Sequence, residues 1–364
     1  MQLALVLWSG NIGGAEQLTI QLARQMREFN CDARVVFVCT QEPLARDLIK
    51  WGVPFLTLGL SRGVNVLCRP RAFARLVNEA GIDGALLDSG GYLAAALRVG
   101  GYKGKIVAVE HGSIIRDEES WVVNRAFRRL LRMSGTWAID EEVAVSDYAL
   151  NRLLAHSHAA KVSRIYNGVD FNEFSRGDQG MPTHTRHEGD RIVLGHASRL
   201  INEKGAQDLI IALSDLRRSF DCVLTIAGDG PIRKELEALT VRLGIQGSVE
   251  FRGWVDKMPE FWQGCDIAVI PSVCEESFGM VAIEAMACGK PVVASDSGAL
   301  PEIVLHGRTG IIYPKGNVAA LGDSVRAYVS DRDRRLADGG EGRARCEAMF
   351  DIRRCATAYC ELFK

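Results

Sequence analysis

The sequence predicts an α/β protein built from two doubly wound, parallel-sheet domains. Three observations lead there. The chain has 364 residues, more than a single core usually serves. Short Val-, Ile- and Leu-rich runs alternate with longer segments of helical period, the pattern of parallel strands joined by crossover helices. The alternation also breaks once, over SRGDQGMPTHTRHEGD (175–190), and then restarts.

In the first domain, placed at 1–174, strands are expected at Leu3 to Leu7, Arg34 to Cys39, Ile106 to Val109, Val143 to Val145 and Val162 to Tyr166, with a helix over Ala15 to Phe29. Residues 175–190 have no apolar period and contain glycines, a proline and charges, so they are read as the linker, with His184 and His187 as solvated linker side chains. The second domain, 191–346, begins with a strand over Ile192 to Ala197 and a helix over Gly205 to Phe220, then a strand over Val223 to Gly228 and a helix over Ile232 to Leu243. Strands at Val249 to Phe251, Ile267 to Ile270 and Pro291 to Ala294 follow, with a helix over Gly279 to Cys288. Residues 347–364 carry Phe350, Ala356, Tyr359, Leu362 and Phe363 at helical spacing, an amphipathic helix expected to pack back on the first domain.

Composition excludes several function classes. Hydrophobic residues make up 47% and charged residues 24%, within the globular range, and apolar runs such as Leu3 to Trp8 are strand-sized, so no membrane span is expected. Met1 leads directly into a strand without a secretory pattern, which predicts a cytoplasmic protein. The ten cysteines form no CxxC pair or zinc spacing and read as reduced, mostly buried thiols. A net charge of -1 argues against a nucleic-acid partner.

In open α/β sheets, ligands bind at the carboxyl ends of strands, where helix N-termini point, so two such domains facing one another would hold a ligand in a central cleft. The loop after the first strand, SGNIGGAE, offers Gly13 and Gly14 at a helix start, where backbone N–H groups suit an anion; it reads equally as a tight turn. Its GxxGG spacing is not the dinucleotide GxGxxG, which disfavours an NAD-dependent oxidoreductase. After the second domain's first strand, Arg199 and Lys204 flank a helix start, a cradle for a diphosphate or else a solvated surface pair. In IPSVCEESFGMVAIEAMACGKPVVAS, Glu276 lies in a loop and Glu284 one turn inside the following helix. Both can face one ligand, with free N–H groups at Gly279, Met280 and Val281. As isolated glutamates they read as ordinary surface acids. The one Asp-x-Asp, Asp331 to Asp333, lies in a charged helical surface, so no metal site is expected.

Together these segments closely resemble the retaining family 4 glycosyltransferases of the GT-B fold. The motifs run through nearly the whole chain in order: GGAE, VEHGS at His111, VAVSDYA, IYNGVD, SRLINEKG, IAGDGP, FRGWV, the Glu-x7-Glu stretch and SGALPEIVLHGRTGIIYP. The resemblance implies that Gly13 and Gly14 touch the donor phosphate and sugar and that Arg199 and Lys204 bind the diphosphate. It further implies that Glu276 bonds the transferred sugar, that Phe278, Gly279, Met280 and Val281 give backbone contacts, and that Glu284 holds the ribose. His111 then sits beside the donor sugar. The catalytic set is therefore His111, Glu276, Arg199 and Lys204. The family commonly has Gly-Arg where this chain has Ser198-Arg199, which would hold the backbone further from the phosphate.

The implied substrate is a nucleoside-diphosphate sugar, with no separate cofactor and no metal. The implied acceptor is a glycan or a lipid-linked group, as in bacterial surface polysaccharide or glycolipid synthesis. No carboxylate nucleophile is apparent on the first-domain side, which favours front-face retention over a covalent intermediate. Arg125, Arg128, Arg129 and Arg132, with Trp121, Val122 and Phe127, lie in a segment (116–133) that reads either as a solvated crossover helix or as a helix on an anionic inner-membrane surface. A GT-B nucleotide-sugar epimerase and a non-catalytic sugar-nucleotide binder are the competing readings. Only a transferase releases nucleoside diphosphate in an acceptor-dependent way.

Overall fold

The computed structural model describes residues 1–10, 13–29, 31–61, 63–88, 91–111, 136–155, 157, 159–175 and 191–364. Segment 116–133, linker residues 176–190 with His184 and His187, Asn11, Ile12, His156 and His158 lie outside the described residues. Contacts divide the chain into two compact units, Met1–Gly168 with Ile352–Lys364, and Val169–Asp351.

The first unit is a seven-stranded sheet of β1 (Gln2–Leu7), β2 (Asp32–Phe37), β3 (Phe55–Thr57), β4 (Gly84–Asp88), β5 (Lys105–Glu110), β6 (Glu141–Ala144) and β7 (Lys161–Arg164). The order is β3-β2-β1-β4-β5-β6-β7. Every pairing is parallel. The central strands are buried on both faces, and for this reason they read as continuous apolar runs. The direction of strand addition reverses between β1 and β4. Trp8, Ser9 and Gly10 follow β1 there, and Asp88 ends β4.

The terminal helix Ile352–Leu362 belongs to this unit. The physical reason is visible at Gly84, where an added Cβ would lie 2.2 Å from the Phe363 ring, so the missing side chain makes room for the aromatic. Lys105 Nζ also donates to the Leu362 carbonyl.

The second unit is a six-stranded parallel sheet of β8 (Ile192–Ala197), β9 (Cys222–Ala227), β10 (Val249–Gly253), β11 (Ile267–Ile270), β12 (Val292–Ser295) and β13 (Gly310–Tyr313), ordered β10-β9-β8-β11-β12-β13. Its reversal lies between β8 and β11. One core joins Leu194, Leu224, Ile226, Ile267 and Val269 to Leu209, Leu213 and Tyr328 from the covering helices.

The boundaries differ from those expected at 174/175 and 346/347. Residues 169–174 pack with the second unit, because Val169 N donates to Phe350 O at 2.8 Å and Val169 bridges to Asp351. Helix Arg332–Met349 runs on through 347, and the segment returning to the first unit starts at Ile352. Asp331 caps that helix, its Oδ1 accepting from Arg334 N at 2.9 Å.

Candidate active site

The β8/β11 reversal in the second unit collects the residues singled out in that half of the sequence. Ser198 and Arg199 follow β8, and Pro271 to Glu276 follow β11. The two loops are pulled together by a backbone that only glycine permits. Gly205 has φ 71°, and a Cβ on it would stand 1.9 Å from Pro271 O. Val273 N donates to Glu203 O at 2.9 Å across the same seam.

This places Lys204, in the 3₁₀ turn Asn202–Lys204, against Glu276. Lys204 Nζ donates to Glu276 Oε1, with side-chain exposures of 15% and 13%. Ser272 Oγ donates to the same oxygen at 2.6 Å. The Glu276 main chain is held from the far side, where Ala299 N donates to its carbonyl at 2.7 Å. There Gly298, at φ 57°, approaches so closely that a Cβ would lie 2.1 Å from that oxygen.

Arg199 and Lys204, expected as a diphosphate cradle or a solvated surface pair, differ in their surroundings. The ammonium of Lys204 is compensated by Glu276, whereas Arg199 is exposed and its side chain has no partner among the described residues.

Helix Met280–Ala287 starts at Gly279, whose φ of 118° excludes most other residues. Phe278 is buried edge-on against Phe350, at 5.7 Å between ring centroids, so only its backbone is available to a ligand. Glu284 is partly exposed as a residue, but its carboxyl is desolvated. Burial raises its pKa to about 7, with the Trp262 indole pulling the other way. The Trp262 N–H itself reaches no partner at hydrogen-bond geometry. Glu284 is thus not an ordinary exposed helical acid.

His196, in β8, is 1% exposed. Its Nδ1 lies 3.0 Å from Val269 O and its Nε2 lies 2.8 Å from Ser198 Oγ. A carbonyl only accepts, so Nδ1 carries the proton and the serine hydroxyl donates to Nε2. Burial lowers the His196 pKa to about 4, helped by the charge of Lys204 and opposed by the bond to Val269 O and by Glu276. The serine that departs from the family pattern is thereby tied to a neutral imidazole.

In the first unit, Gly13 caps helix Gly14–Glu28 at φ -146°, which any residue adopts. An added Cβ at Gly14 would meet nothing within 4 Å, and at Gly13 only the flexible end of Glu16, 2.3 Å away. The fold itself does not demand glycine at either position.

His111 follows β5, and its Nε2 stands 3.4 Å from Asp88 Oδ1, with side-chain exposures of 15% and 13%. Burial raises the Asp88 pKa against the pull of His111. Burial also raises that of Glu16, reinforced by Asp88 and opposed by its own backbone N–H and by His111. On the first-domain side, where no carboxylate nucleophile is apparent in the sequence, Asp88 and Glu16 thus act electrostatically with His111. Asp88 escaped sequence reading because β4 was not recognised, although the run GALLD ending in an acid was a usable signal. Glu16 was hidden within GGAE, read there for its glycines.

Two family models match the chain: "Glycosyltransferase Family 4" over 12–173 and "Glycosyl transferases group 1" over 191–331. The chain belongs to glycosyltransferase family 4. As a GT-B protein it resembles Anabaena HepE, crystallised with UDP and glucose, at a TM-score of 0.81 and 23% identity, covering 100% of this chain and 99% of that one.

Among relatives, the GDP-mannose-dependent α-(1-6)-phosphatidylinositol monomannoside mannosyltransferase of Mycobacterium tuberculosis is 33% identical over 252 residues, 66% of this chain and 64% of its own length. The N-acetyl-α-D-glucosaminyl L-malate synthase of Bacillus anthracis is 28% identical over 258 residues, 70% of this chain and 66% of its own. The matches thus span just under two thirds of these relatives' lengths. Among the described residues of this family 4 protein, no helix is long and apolar enough to cross a membrane.

Proposed function

We propose that this family 4 glycosyltransferase moves a hexosyl group, with retention, from a nucleoside-diphosphate sugar to a glycan or lipid-linked acceptor in surface polysaccharide or glycolipid assembly. It would work in the cytoplasm or against the inner face of the membrane. The observation carrying the reading is the desolvated Lys204–Glu276 pair, held at a strand-order reversal with the exposed Arg199 beside it.

Breaking a sugar–phosphate bond builds negative charge on the leaving diphosphate, which preorganised cations and helix N–H groups stabilise. In this reading Arg199 meets the diphosphate first. Lys204 shares its donors between phosphate and Glu276, so binding need not strip an ion pair bare. The N–H groups at Gly279, Met280 and Val281 complete the anion site. Glu276, oriented by Lys204 and Ser272, accepts hydrogen bonds from sugar hydroxyls. Glu284 takes the ribose, and its raised pKa means that it enters the complex partly protonated near neutrality. Gly13 and Gly14, which the fold does not require as glycines, leave room for donor phosphate and sugar at the first helix. His111 acts at the sugar. The diphosphate is neutralised by side chains and not by a bound metal.

The test is release of nucleoside diphosphate from UDP-, GDP- and ADP-sugars with and without glycan and lipid-linked acceptors. Acceptor-dependent release with an α-linked product from an α-linked donor is expected. Release independent of any acceptor, interconversion of donor sugars, or binding without turnover contradicts the proposal.

A further inference from the structure

Asp88 ends β4 and His111 follows the neighbouring β5, with Asp88 in register with Val109. Their side chains border a small cavity that is otherwise mostly apolar, lined by Leu18, Leu22, Leu86 and Val109. Thr19 and Tyr359 complete its wall. A carboxylate in such a place is costly unless it is compensated, and His111 is the neighbour that pulls its pKa back down. Glu16, from the first helix, is a second acid in the same field, and Tyr359, from the terminal helix, faces Asp88 with its phenol kept protonated by burial. Asp88 and Glu16 thus act on one imidazole, and Tyr359 shares its cavity.

Resting on the reading above, in which His111 acts at the donor sugar, we propose that Asp88 is the positioning residue of His111. It accepts from Nε2–H, fixes the ring plane and tautomer, and leaves Nδ1 as the nitrogen presented to the transferred sugar. At 3.4 Å the contact is long for a hydrogen bond, as catalytic contacts often are before substrate closes on them. A ring held at one nitrogen by a buried carboxylate has its other nitrogen's role decided. When neutral, Nδ1 accepts a hydrogen bond from a hydroxyl of the transferred sugar, which keeps its proton. Glu16 interacts with His111 electrostatically. Among the described residues, Asp88 and Glu16 act on the ring electrostatically and Tyr359 lines the same cavity.

Long-range ¹H–¹⁵N spectra of the full chain decide the tautomer directly. Wild type should carry the neutral His111 proton on Nε2, whereas Asp88→Asn, whose amide can donate to Nε2, should shift it toward Nδ1. With an active donor, Asp88→Asn should lower kcat roughly tenfold or more while leaving affinity for nucleoside diphosphate unchanged, and Asp88→Glu should restore part of the rate. A wild-type ring protonated on Nδ1, or a tautomer that Asp88→Asn does not alter, overturns the proposal whatever the rates are. If wild type turns over no donor, the transferase reading fails, while the spectra still decide whether Asp88 sets the ring.

Discussion

Replacing Glu284 by Gln removes a titration from the second unit with almost no change of shape. Burial lifts the carboxyl from 4.5 to about 7, a shift equivalent to roughly 3 kcal/mol at about 1.4 kcal/mol per unit. The folded state therefore binds the proton more tightly than the unfolded chain. Stability from this group is fully present below about 4.5 and is lost as pH rises through about 7. Glu284→Gln should be close to neutral at pH 5, where the carboxyl is protonated in the folded protein. At pH 8 it should stabilise by up to about 3 kcal/mol, or roughly 6 to 12 °C for a unit of this size. Thermal unfolding of both proteins at the two pH values measures the difference of differences, which cancels any loss common to both. An identical offset at pH 5 and pH 8 would show that the carboxyl is not desolvated and would refute the reasoning. If Glu284 also holds the ribose, nucleoside diphosphate should bind the variant more weakly by about 1 to 3 kcal/mol.

His196 has the opposite sign. With its pKa lowered from 6.5 to about 4, its contribution is present above 6.5 and is lost as pH falls through 4. A His196→Asn variant should therefore show a flatter stability profile on the acid side, measured by urea unfolding between pH 4 and 7. Gly205→Ala combines left-handed backbone with a 1.9 Å approach to Pro271 O, and should cost upwards of about 2 kcal/mol. It should also weaken nucleotide binding by moving Lys204 from Glu276, as read by calorimetry. Transfer activity should persist in excess EDTA. Loss with chelator and recovery with Mg or Mn would assign the diphosphate charge to a metal.

Much of this was legible in the sequence because parallel strands buried on both faces leave continuous apolar runs. β8 and β11 occupy the residues expected, and β1, β5, β6 and β9 lie within two residues of their expected ends. β3, at three residues, is too short to carry a period. β4 begins at a glycine that the Phe363 ring requires, and β13 likewise begins at Gly310, where a Cβ would lie 2.2 Å from Val292 O. Glycine is a poor strand signal when the reason for it lies far away in the chain. Missing β4 also concealed Asp88, since a strand-end acid has meaning only once the strand is known. The Lys204–Glu276 pair spans 72 positions, and no local pattern reveals that Gly205 and Gly298 bring its two loops together. Desolvation of Glu284 was equally hidden, because it depends on what covers the helix. His196 lies in the core, and its bond to Ser198 could be seen only in coordinates. His306 accepts from Ile312 N at 3.1 Å, a contact no local sequence pattern shows.

On the proposed reading, the second unit binds the nucleoside diphosphate at the β8/β11 reversal mainly through Arg199 and Lys204. Titration calorimetry of UDP and GDP into wild type, Arg199→Ala and Lys204→Ala in the presence of EDTA tests it most directly. The account predicts that one nucleotide binds wild type and that each substitution weakens it by about 1.5 to 3 kcal/mol, the range for charged hydrogen bonds, with thermal stability little changed for the exposed Arg199. Undiminished affinity in both variants would contradict it and would move the diphosphate away from this pair of loops.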